Sequence, residues 1–272
     1  MRREVAIGIV VYNAGENLLD RLKMAVSAGY SVYVFDNSPS YDSVKKLAKS
    51  LEGINYFTCG NNVGLGYGIS TVCAQAEVDN FQALIFFDQD TGFSEDTLNF
   101  VEKFYLDRKQ LVSKYSAFLF NSKNHSDASL NSDGLRDVNL AINSGSLYFL
   151  ENLKKQGWHD ASYFVDGVDY KFCLESAKHK MKIGECSYTP GFDHVTEQED
   201  SLYSLFGKDY QLRPYSWRRI VDTSVSSVRL ITYSLLNGEW KFLKILVRLF
   251  AIYLATQVYV RVVNFWSRNK NV

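Results

Sequence analysis

Several patterns that would assign this chain to a familiar class are missing from its sequence. The four cysteines, Cys59, Cys73, Cys173 and Cys186, are dispersed, without a CxxC pair or the Cys/His spacing of a zinc site. This argues against a disulfide framework and fits a reducing compartment such as the cytosol. No GxGxxG motif is present, which disfavours a dinucleotide-dependent dehydrogenase.

The chain also lacks net charge, because 30 Lys and Arg residues balance 30 Asp and Glu residues. The balance is uneven, since residues 211–272 contain ten Lys or Arg but only Asp222 and Glu239 as acids. We therefore expect this basic tail to face an anionic partner, such as a membrane surface or a lipid-linked phosphate. Nucleic acid is not expected as a partner, because no nucleic-acid-binding motif accompanies the charge.

A long uncharged apolar run is missing as well. In the tail the longest such run, Leu249 to Val260, is shorter than the about 20 residues of a transmembrane helix. From Pro214 onward the pattern predicts a helical, amphipathic tail that lies on a membrane, with packing on the rest of the chain or in a homo-oligomer as the alternative. The first apolar run reaches polar Asn13 too early for a signal peptide and is interpreted as a strand. We expect a cytoplasmic protein, peripheral on the inner face of the cell membrane.

Apolar runs alternate with helical patterns through the first part of the chain. Unalternating runs predict strands at 5–12, 31–35, 55–59 and 83–87, and helical spacing predicts helices at 18–28, 42–51, near 68–77, 95–111 and 166–180. Such runs are typical of strands buried on both faces of a parallel sheet. The order predicts an α/β fold with a doubly wound, mostly parallel central sheet and a helical C-terminal appendage. The polar segment 121–137 is interpreted as a surface loop.

Polar residues follow each of these strands. They are Tyr12 and Asn13, then Asp36, Asn37 and Ser38, then the glycine loop 60–68, then Asp88, Gln89 and Asp90. Because ligands bind outside the carboxyl ends of strands in open α/β sheets, we expect these clusters to converge on one crevice. The glycine loop permits close approach of a ligand, or it is a flexible turn.

Asp88 and Asp90 flank one residue at the end of a buried strand. This spacing lets one carboxylate hold a divalent cation while the other binds a ribose or a second coordination position. A bound Mg²⁺ or Mn²⁺ would stabilise the charge on a departing nucleoside diphosphate. The alternatives are a solvated turn or an aspartyl phosphatase, which is weaker because Thr91 stands one place too early for that motif.

Asp166 and Asp169 lie three residues apart at the start of a predicted helix, so their side chains share a face. Either could act as a general base, whereas on spacing alone ordinary helix N-terminal capping is the favoured explanation. His194 is a candidate metal ligand, whereas His159 and His179 stand among polar residues and are expected at the surface.

These landmarks, in this order, make residues 5–194 resemble family 2 glycosyltransferases of the GT-A fold, in particular rhamnosyltransferase-like members that build O-antigen and capsule. Residues 10–13 look like the family's opening strand and turn, 61–68 like its asparagine-glycine loop, and 88–91 like its metal motif. Asn143, Ser144 and Gly145 match its donor-sugar loop, and 166–172 match its acidic motif. The resemblance implies a GT-A catalytic domain at 1–210, with a nucleotide-binding half at about 1–92 and an acceptor half at about 93–210, and a tail at 211–272.

The resemblance also implies a role for each site residue. Tyr12 and Asp36 would hold the base, Asp88 the ribose, Asp90 and His194 the metal, and Asp169 would be the catalytic base. Further donor contacts are expected from Asn13, Asn62, Gly66, Gln89, Asn143, Ser144 and Gly145, and an acceptor contact from Asp166. The predicted reaction is inverting transfer of a sugar, with rhamnose suggested by the resemblance, to a glycan or lipid-linked acceptor. The alternative is a non-catalytic protein that binds nucleotide sugars or glycans in a polysaccharide assembly complex.

One position departs from the subgroup. An acidic residue two places after the base and an arginine four places further are usual, whereas Lys171 and Glu175 stand here. Residues four apart on a helix can pair in either order, so we predict a salt bridge of reversed polarity, with an altered acceptor site as the alternative.

Overall fold

The protein is described by a computed structural model that covers residues 3–39, 43–122, 130–186, 188–194, 201–205 and 208–269. The chain divides into two compact units, Met1–Val195 and Thr196–Val272. The sequence-based boundary after Tyr210 falls inside the second unit.

The first unit alternates strands and helices. Its strands are β1 Val5–Val11, β2 Val32–Asp36, β3 Ile54–Thr58, β4 Ala83–Asp88, β5 Thr91–Gly92, β6 Tyr115–Leu119, β7 Arg136–Val138, β8 Ser146–Phe149, β9 Lys182–Glu185 and β10 Asp193–His194. Its α-helices are α1 Glu16–Ser27, α2 Ser43–Ser50, α3 Leu65–Val78, α4 Glu95–Leu106, α5 Leu150–Lys155 and α6 Val168–Lys178.

The central sheet contains eight of the described strands, in the order β3-β2-β1-β4-β8-β6-β9-β7. The strands β3, β2, β1 and β4 run parallel to one another, and all seven residues of β1 are buried. Burial on both faces is what unalternating apolar runs are expected to give. The predicted α/β fold with a mostly parallel sheet is confirmed.

The strand β8 reverses the direction of the sheet. It pairs antiparallel with both β4 and β6, and its first residue, Ser146, lies opposite Phe86 near the carboxyl end of β4. The residues that precede β8 therefore lie beside the residues that follow β4. This arrangement brings Asn143, Ser144 and Gly145 to the edge where Asp88 ends its strand.

The segment 121–137 is only partly the loop that the sequence suggests. Residues 123–129 lie outside the described part, but Arg136–Val138 forms β7, which pairs antiparallel with β9 at the edge of the sheet. Arg136 forms an ion pair with Glu185 of β9. The polar composition of residues 136–138 does not predict a strand, because an edge strand exposes many of its side chains to water.

The second unit consists of a β-hairpin followed by two long helices. The hairpin pairs β11 Ser201–Leu205 with β12 Lys208–Leu212, and the helices are α7 Trp217–Leu236 and α8 Trp240–Asn269. The predicted helical C-terminal region is confirmed, whereas the hairpin was not predicted.

The tail is longer as a helix than its uncharged run suggests. Among the described residues, Trp240–Asn264 is one helical segment of 25 residues with a mean hydropathy of 1.6, and 17% of its most apolar window is buried. By length and composition alone it could cross a membrane. The sequence-based argument from length does not hold, because it counted the residues between charges and not the length of the helix. That the tail lies along a membrane stays a prediction.

Candidate active site

The polar residues after β1, β2 and β4 lie at one edge of the sheet. Val11 pairs with Asp36 and Val10 pairs with Asp88, so the carboxyl ends of these three parallel strands meet. Open α/β sheets bind their ligands at such an edge. The predicted convergence is confirmed, while the ligand groups that each residue contacts stay a prediction.

The turn after β1 presents an exposed aromatic ring on a fixed backbone. The ring of Tyr12 is 47% exposed, and its backbone N–H donates to Oε1 of Gln89 at 2.8 Å. Asn13 takes a left-handed conformation, with φ at +50°, and its N–H donates to Oγ of Ser38 at 2.8 Å. The turn is thus held from two neighbouring strands, and the Tyr12 ring offers a flat surface for stacking a nucleobase.

Asp36 is buried at the end of β2 and organises the second turn. Its Oδ1 accepts a hydrogen bond from the Ser38 N–H at 2.8 Å, and its Oδ2 accepts one from the Tyr56 hydroxyl at 2.6 Å. Each carboxylate oxygen keeps a further lone pair, although Asp36 is only 1% exposed, so what the structure shows directly is its support of the turn. The next residue, Asn37, donates to the Gly64 carbonyl and accepts from the Val63 N–H, which ties this turn to the glycine loop.

The glycines at the start of α3 serve the packing of the protein itself. A Cβ on Gly66 would stand 2.5 Å from the Asp160 carbonyl oxygen, and one on Gly64 would stand 2.7 Å from that of Phe164. The first turn of α3 therefore packs directly on the backbone of residues 160–164. Asn62 supports the loop, because its Oδ1 accepts from the Gly64 N–H at 3.0 Å. Neither a flexible turn nor a ligand contact is needed to explain these glycines.

Carboxyl groups gather where β4 ends. Burial raises the pKa of Asp88 to about 7, and the negative charges of Asp90 and Asp169 act in the same direction. Burial likewise raises the pKa of Asp169 to about 6, with a smaller contribution from Asp166 and opposition from backbone N–H groups. Asp88 and Asp169 are distant in sequence, but the negative charge of Asp169 contributes to the raised pKa of Asp88. Both residues are partly exposed. The structure thus brings the two acidic motifs together.

Asp169 lies in the first turn of α6, which begins after Gly167 in a left-handed conformation with φ at +88°. Its Oδ1 accepts from the Tyr170 N–H at 2.8 Å. A carboxylate at a helix N-terminus is stabilised by the helix dipole, which limits the effect of burial on its pKa. The predicted ion pair between Lys171 and Glu175 is present on the same helix, and Lys171 is buried.

The loop before β8 supports the acidic turn from the other side. The Ser144 hydroxyl accepts from the Asp88 N–H at 3.1 Å and bonds to the Thr91 hydroxyl at 2.6 Å. Asn143 accepts from the Tyr148 hydroxyl at 2.9 Å, and the Gly145 N–H donates to the Phe86 carbonyl at 2.8 Å. The side chains of Asn143 and Ser144 are buried, so what the structure shows directly is their support of the turn.

A divalent cation fits the chemistry of this edge. Burial, and then the negative charges of Asp90 and Asp169, raise the pKa of Asp88, and carboxylate oxygens are the ligands preferred by Mg²⁺ and Mn²⁺. The backbone of His194 pairs with Thr91, the residue after Asp90, but the His194 side chain lies outside the described part. Within that part, no three His, Cys, Asp or Glu residues are grouped to hold a metal ion.

His159 is not at the surface, contrary to expectation. It is buried, its ring stacks on Phe172 with centroids 5.3 Å apart, and it meets the edge of Tyr148 at 4.7 Å. Neither ring nitrogen has a hydrogen-bond partner among the described residues. Burial lowers the pKa of His159 to about 3. His179 is exposed, as predicted.

The role of Gln89 in the fold was not predicted from the sequence. Besides accepting from Tyr12, Gln89 accepts a bond from the Arg21 guanidinium at its carbonyl oxygen, at 2.5 Å. The residue between the two aspartates therefore links β4 to the β1 turn and to α1. No motif signals such a contact, because it joins residues 77 positions apart.

Comparisons with known proteins agree with this geometry. The chain is 24% identical over 200 residues to the dTDP-rhamnosyl transferase RfbF of Shigella flexneri, a match that covers 67% of this chain and 66% of that protein. In fold it is similar to S. aureus TarS 1–349 in complex with UDP-GlcNAc, with a TM-score of 0.56, 14% identity, and coverage of 84% of this chain and 65% of that one. The chain thus spans slightly less than two thirds of the Shigella relative and of this TarS chain.

A second similar structure is GalNAc-T7 with UDP, GalNAc and Mn²⁺, with a TM-score of 0.56 and 14% identity over 85% of this chain and 48% of that one. These likenesses confirm the GT-A type of fold. Residues 6–132, which contain the turns after β1, β2 and β4, match the family model described as glycosyl transferase family 2. Through residues 6–132, which include the strand-end site, the chain is similar to glycosyl transferase family 2.

Proposed function

We propose that this chain is an inverting, divalent-cation-dependent glycosyltransferase that moves a sugar from a nucleotide-diphosphate donor to a glycan or lipid-linked acceptor. The observation that carries the proposal is the meeting of Asp169 with Asp88 and Asp90 at the carboxyl end of β4. A base for the acceptor and a site for the diphosphate are both needed for transfer, and the residues proposed for these two roles lie near the same strand end.

The reaction follows from the placement of these carboxylates. Asp169 accepts the proton of the acceptor hydroxyl while the hydroxyl oxygen attacks the anomeric carbon and the bond to the diphosphate oxygen breaks. A base works best when its pKa lies near the working pH, and the pKa of Asp169 is raised to about 6. Attack from the face opposite the departing diphosphate inverts the anomeric centre.

Asp90 and His194 are the proposed ligands of the divalent cation, and Asp88 the proposed contact of the ribose. When bound, the cation would supply Lewis-acid stabilisation of the charge on the departing diphosphate. The chain's own contribution is to hold the acidic turn in place, through the Ser144 hydroxyl and the side chain of Gln89. Tyr12 and Asp36 are proposed to bind the base.

The donor is proposed to be dTDP-rhamnose. Support comes from the name of the Shigella relative, which shares 24% identity, and from the sequence resemblance to the rhamnosyltransferase-like subgroup. A TarS structure in complex with UDP-GlcNAc makes that nucleotide sugar the second donor to test. The acceptor is proposed to be a cell-surface glycan precursor such as O-antigen or capsule, reached at the inner face of the cell membrane.

The decisive experiment is a panel of nucleotide sugars incubated with the purified chain, Mg²⁺ or Mn²⁺, and glycan or lipid-linked acceptors. We expect cation-dependent release of nucleoside diphosphate and a product of inverted anomeric configuration, read by NMR. Nucleotide-sugar binding without turnover across the panel would instead favour a non-catalytic binding protein.

Replacement of the proposed base tests the mechanism more directly. We expect Asp169→Asn to lower kcat by about a hundredfold or more, since amide nitrogen cannot accept the proton, and to leave nucleotide affinity nearly unchanged. Asp96→Asn is the matched control, because Asp96 is an exposed acid in the first turn of another helix, α4. Steady-state turnover and calorimetric titration of nucleotide separate the two effects. Normal turnover in Asp169→Asn would remove Asp169 as the base.

A further inference from the structure

The helix α7 has its apolar residues on the outside. Five large apolar side chains are 50–70% exposed: Trp217, Val221, Val225, Val228 and Leu235. Their spacing of four, four, three and seven residues places them along one face of the helix. The side that is buried carries Ser226, Leu230 and Ser234 instead. This is the reverse of the pattern that a helix on a water-exposed surface normally shows.

The helix α8 also has large apolar side chains on the outside, although its buried residues Phe242, Leu246 and Val260 are apolar as well. Val247, Ile252, Val258 and Val262 are 46–61% exposed. The polar Gln257, in contrast, is buried, where its side chain accepts from the Tyr215 N–H and donates to the Arg213 carbonyl. Polar groups that bond inside a helical unit, with apolar groups outside, are typical of helices in contact with lipid.

The exposed charges of the two helices are of one sign. Arg218, Arg229, Lys241, Lys244 and Arg248 are exposed, whereas no acidic side chain described in α7 or α8 is more than half-exposed. Arg218 and Arg229 directly follow Trp217 and Val228, which puts both about 100° around the axis, at the same border of the apolar face. Cations beside an apolar face complement anionic lipid headgroups.

Two other occupants of this face are disfavoured by the same charges. A second copy packed on it would bring further Arg and Lys residues against those of the first, without exposed acids of α7 or α8 to pair with them. A membrane-crossing α8 would carry Lys244 and Arg248 into the hydrocarbon, which is costly. An orientation along the surface avoids both costs.

We propose that the outer faces of α7 and α8 bind along the surface of an anionic lipid bilayer. The valines and Trp217 enter the acyl boundary, and the exposed arginines and lysines meet the headgroup phosphates. This inference goes beyond the transfer reaction and rests on the second unit alone, so lipid binding and catalysis are tested by separate measurements.

The test is co-sedimentation of the full chain with phosphatidylglycerol/phosphatidylcholine vesicles and with pure phosphatidylcholine vesicles. We expect binding to the anionic vesicles and at least tenfold weaker binding to the neutral ones. The triple variant Val221→Gln/Val225→Gln/Val228→Gln should weaken binding at least tenfold, since it removes most of the apolar face. Val78→Gln is the matched control, because Val78 is 66% exposed in the first unit.

A charge variant tests the contribution of the exposed lysines and arginines to vesicle binding. Lys244→Glu/Arg248→Glu should weaken anionic-vesicle binding by at least tenfold, since each cation near such a surface contributes roughly fivefold. Lys23→Glu/Lys103→Glu, on the surface of the first unit, should change it little. Circular dichroism and thermal unfolding check that all variants are folded.

Three outcomes would overturn the proposal. The first is binding that is equal with and without anionic lipid, or equal in wild type and triple variant. The second is a wild-type dimer in lipid-free buffer that the triple variant converts to a monomer while vesicle binding is unchanged, which would assign the face to a second copy. The third is vesicle-bound protein that resists extraction by high salt and alkaline carbonate, which would indicate a helix that crosses the bilayer.

Discussion

His159 shows how one buried residue makes the stability of the fold depend on pH. Its ring is enclosed by Tyr148 and Phe172, and burial lowers its pKa to about 3. In the unfolded chain the pKa of a histidine is about 6.5. Between these two values the unfolded chain binds more protons than the folded one, so stability is lost as the pH falls below about 6.5.

Substitution of His159 should therefore remove part of the acid sensitivity. Between pH 8 and pH 5, we expect this histidine to lower the free energy of unfolding of the wild type by about 2 kcal/mol. His159→Phe keeps an aromatic ring between Tyr148 and Phe172 and lacks the ionisable nitrogens, so this loss should disappear. Denaturant unfolding at the two pH values measures it.

The raised pKa values of Asp88 and Asp169 act with the opposite sign, because their stabilising contribution is present at low pH and lost as the pH rises through their folded values of about 7 and 6. Wild type and His159→Phe share this contribution, so the difference between their pH dependences isolates the effect of His159. His179→Phe, at an exposed histidine, is the control and should behave as wild type. An unchanged pH dependence in His159→Phe would contradict the assignment.

Single residues differ in how far the sequence reveals their surroundings. Asp88 and Asp90 follow an apolar run directly, so their place at a strand end can be predicted from neighbours in sequence. His159 stands in a polar stretch, and its burial comes from Tyr148 and Phe172, which reach it only through the packing of β8 and α6. Local pattern is informative when sequence neighbours form the environment, and not when tertiary packing does.

At the scale of elements, the position of α3 depends on Gly64 and Gly66, where a side chain would clash with the backbone of residues 160–164. Its first turn packs against the backbone of residues 160–164, and that segment leads directly to Asp166 and Asp169. The Leu65 N–H donates to the Phe164 carbonyl at 2.5 Å, and the Ser70 hydroxyl donates to the His159 carbonyl at 2.6 Å. The helix and the acidic segment therefore hold each other in place.

A methyl group at Gly66 should push α3 and the acidic segment apart. Gly66→Ala places a Cβ 2.5 Å from a backbone oxygen of Asp160, which cannot move aside as a flexible side chain could. We expect a loss of about 1–3 kcal/mol in the free energy of unfolding and a lower kcat. Gly15→Ala is the matched control, because a Cβ there has no atom within 4 Å and Gly15 has an extended backbone with φ at −77°. Equal effects of the two substitutions would show that α3 and the acidic segment are not coupled in this way.

The elements themselves were predicted unevenly. The runs that form β1 to β4 and the helices between them are local patterns, and the structure reproduces them with small shifts at the ends. The antiparallel insertion of β8, the edge strand β7 and the hairpin of β11 and β12 were not predicted. Each depends on pairing with a distant or polar partner, which hydrophobic periodicity does not encode.

At the scale of the whole molecule, acidic and basic residues gather at different places. The net charge is zero, yet carboxylates gather at the end of β4 and exposed cations gather on α7 and α8. A cluster of like charges opposes folding unless a ligand neutralises it. The first cluster is suited to a cation with a diphosphate, and the second to anionic lipid.

Neutralisation of the acidic cluster should make the stability of the protein depend on its ligands. With Mn²⁺ and a nucleoside diphosphate at about a hundredfold above Kd, we expect a gain of about 2.7 kcal/mol and a rise in Tm on the order of 5 °C, because only the folded chain binds both. EDTA should abolish the rise. Asp90→Asn should abolish it as well, whereas Asp96→Asn should keep it, since Asp96 is an exposed acid outside the cluster. Differential scanning fluorimetry with either ligand alone shows whether they act together. A rise of equal size in Asp90→Asn, or one that survives EDTA, would mean that the nucleotide binds without a cation at this edge.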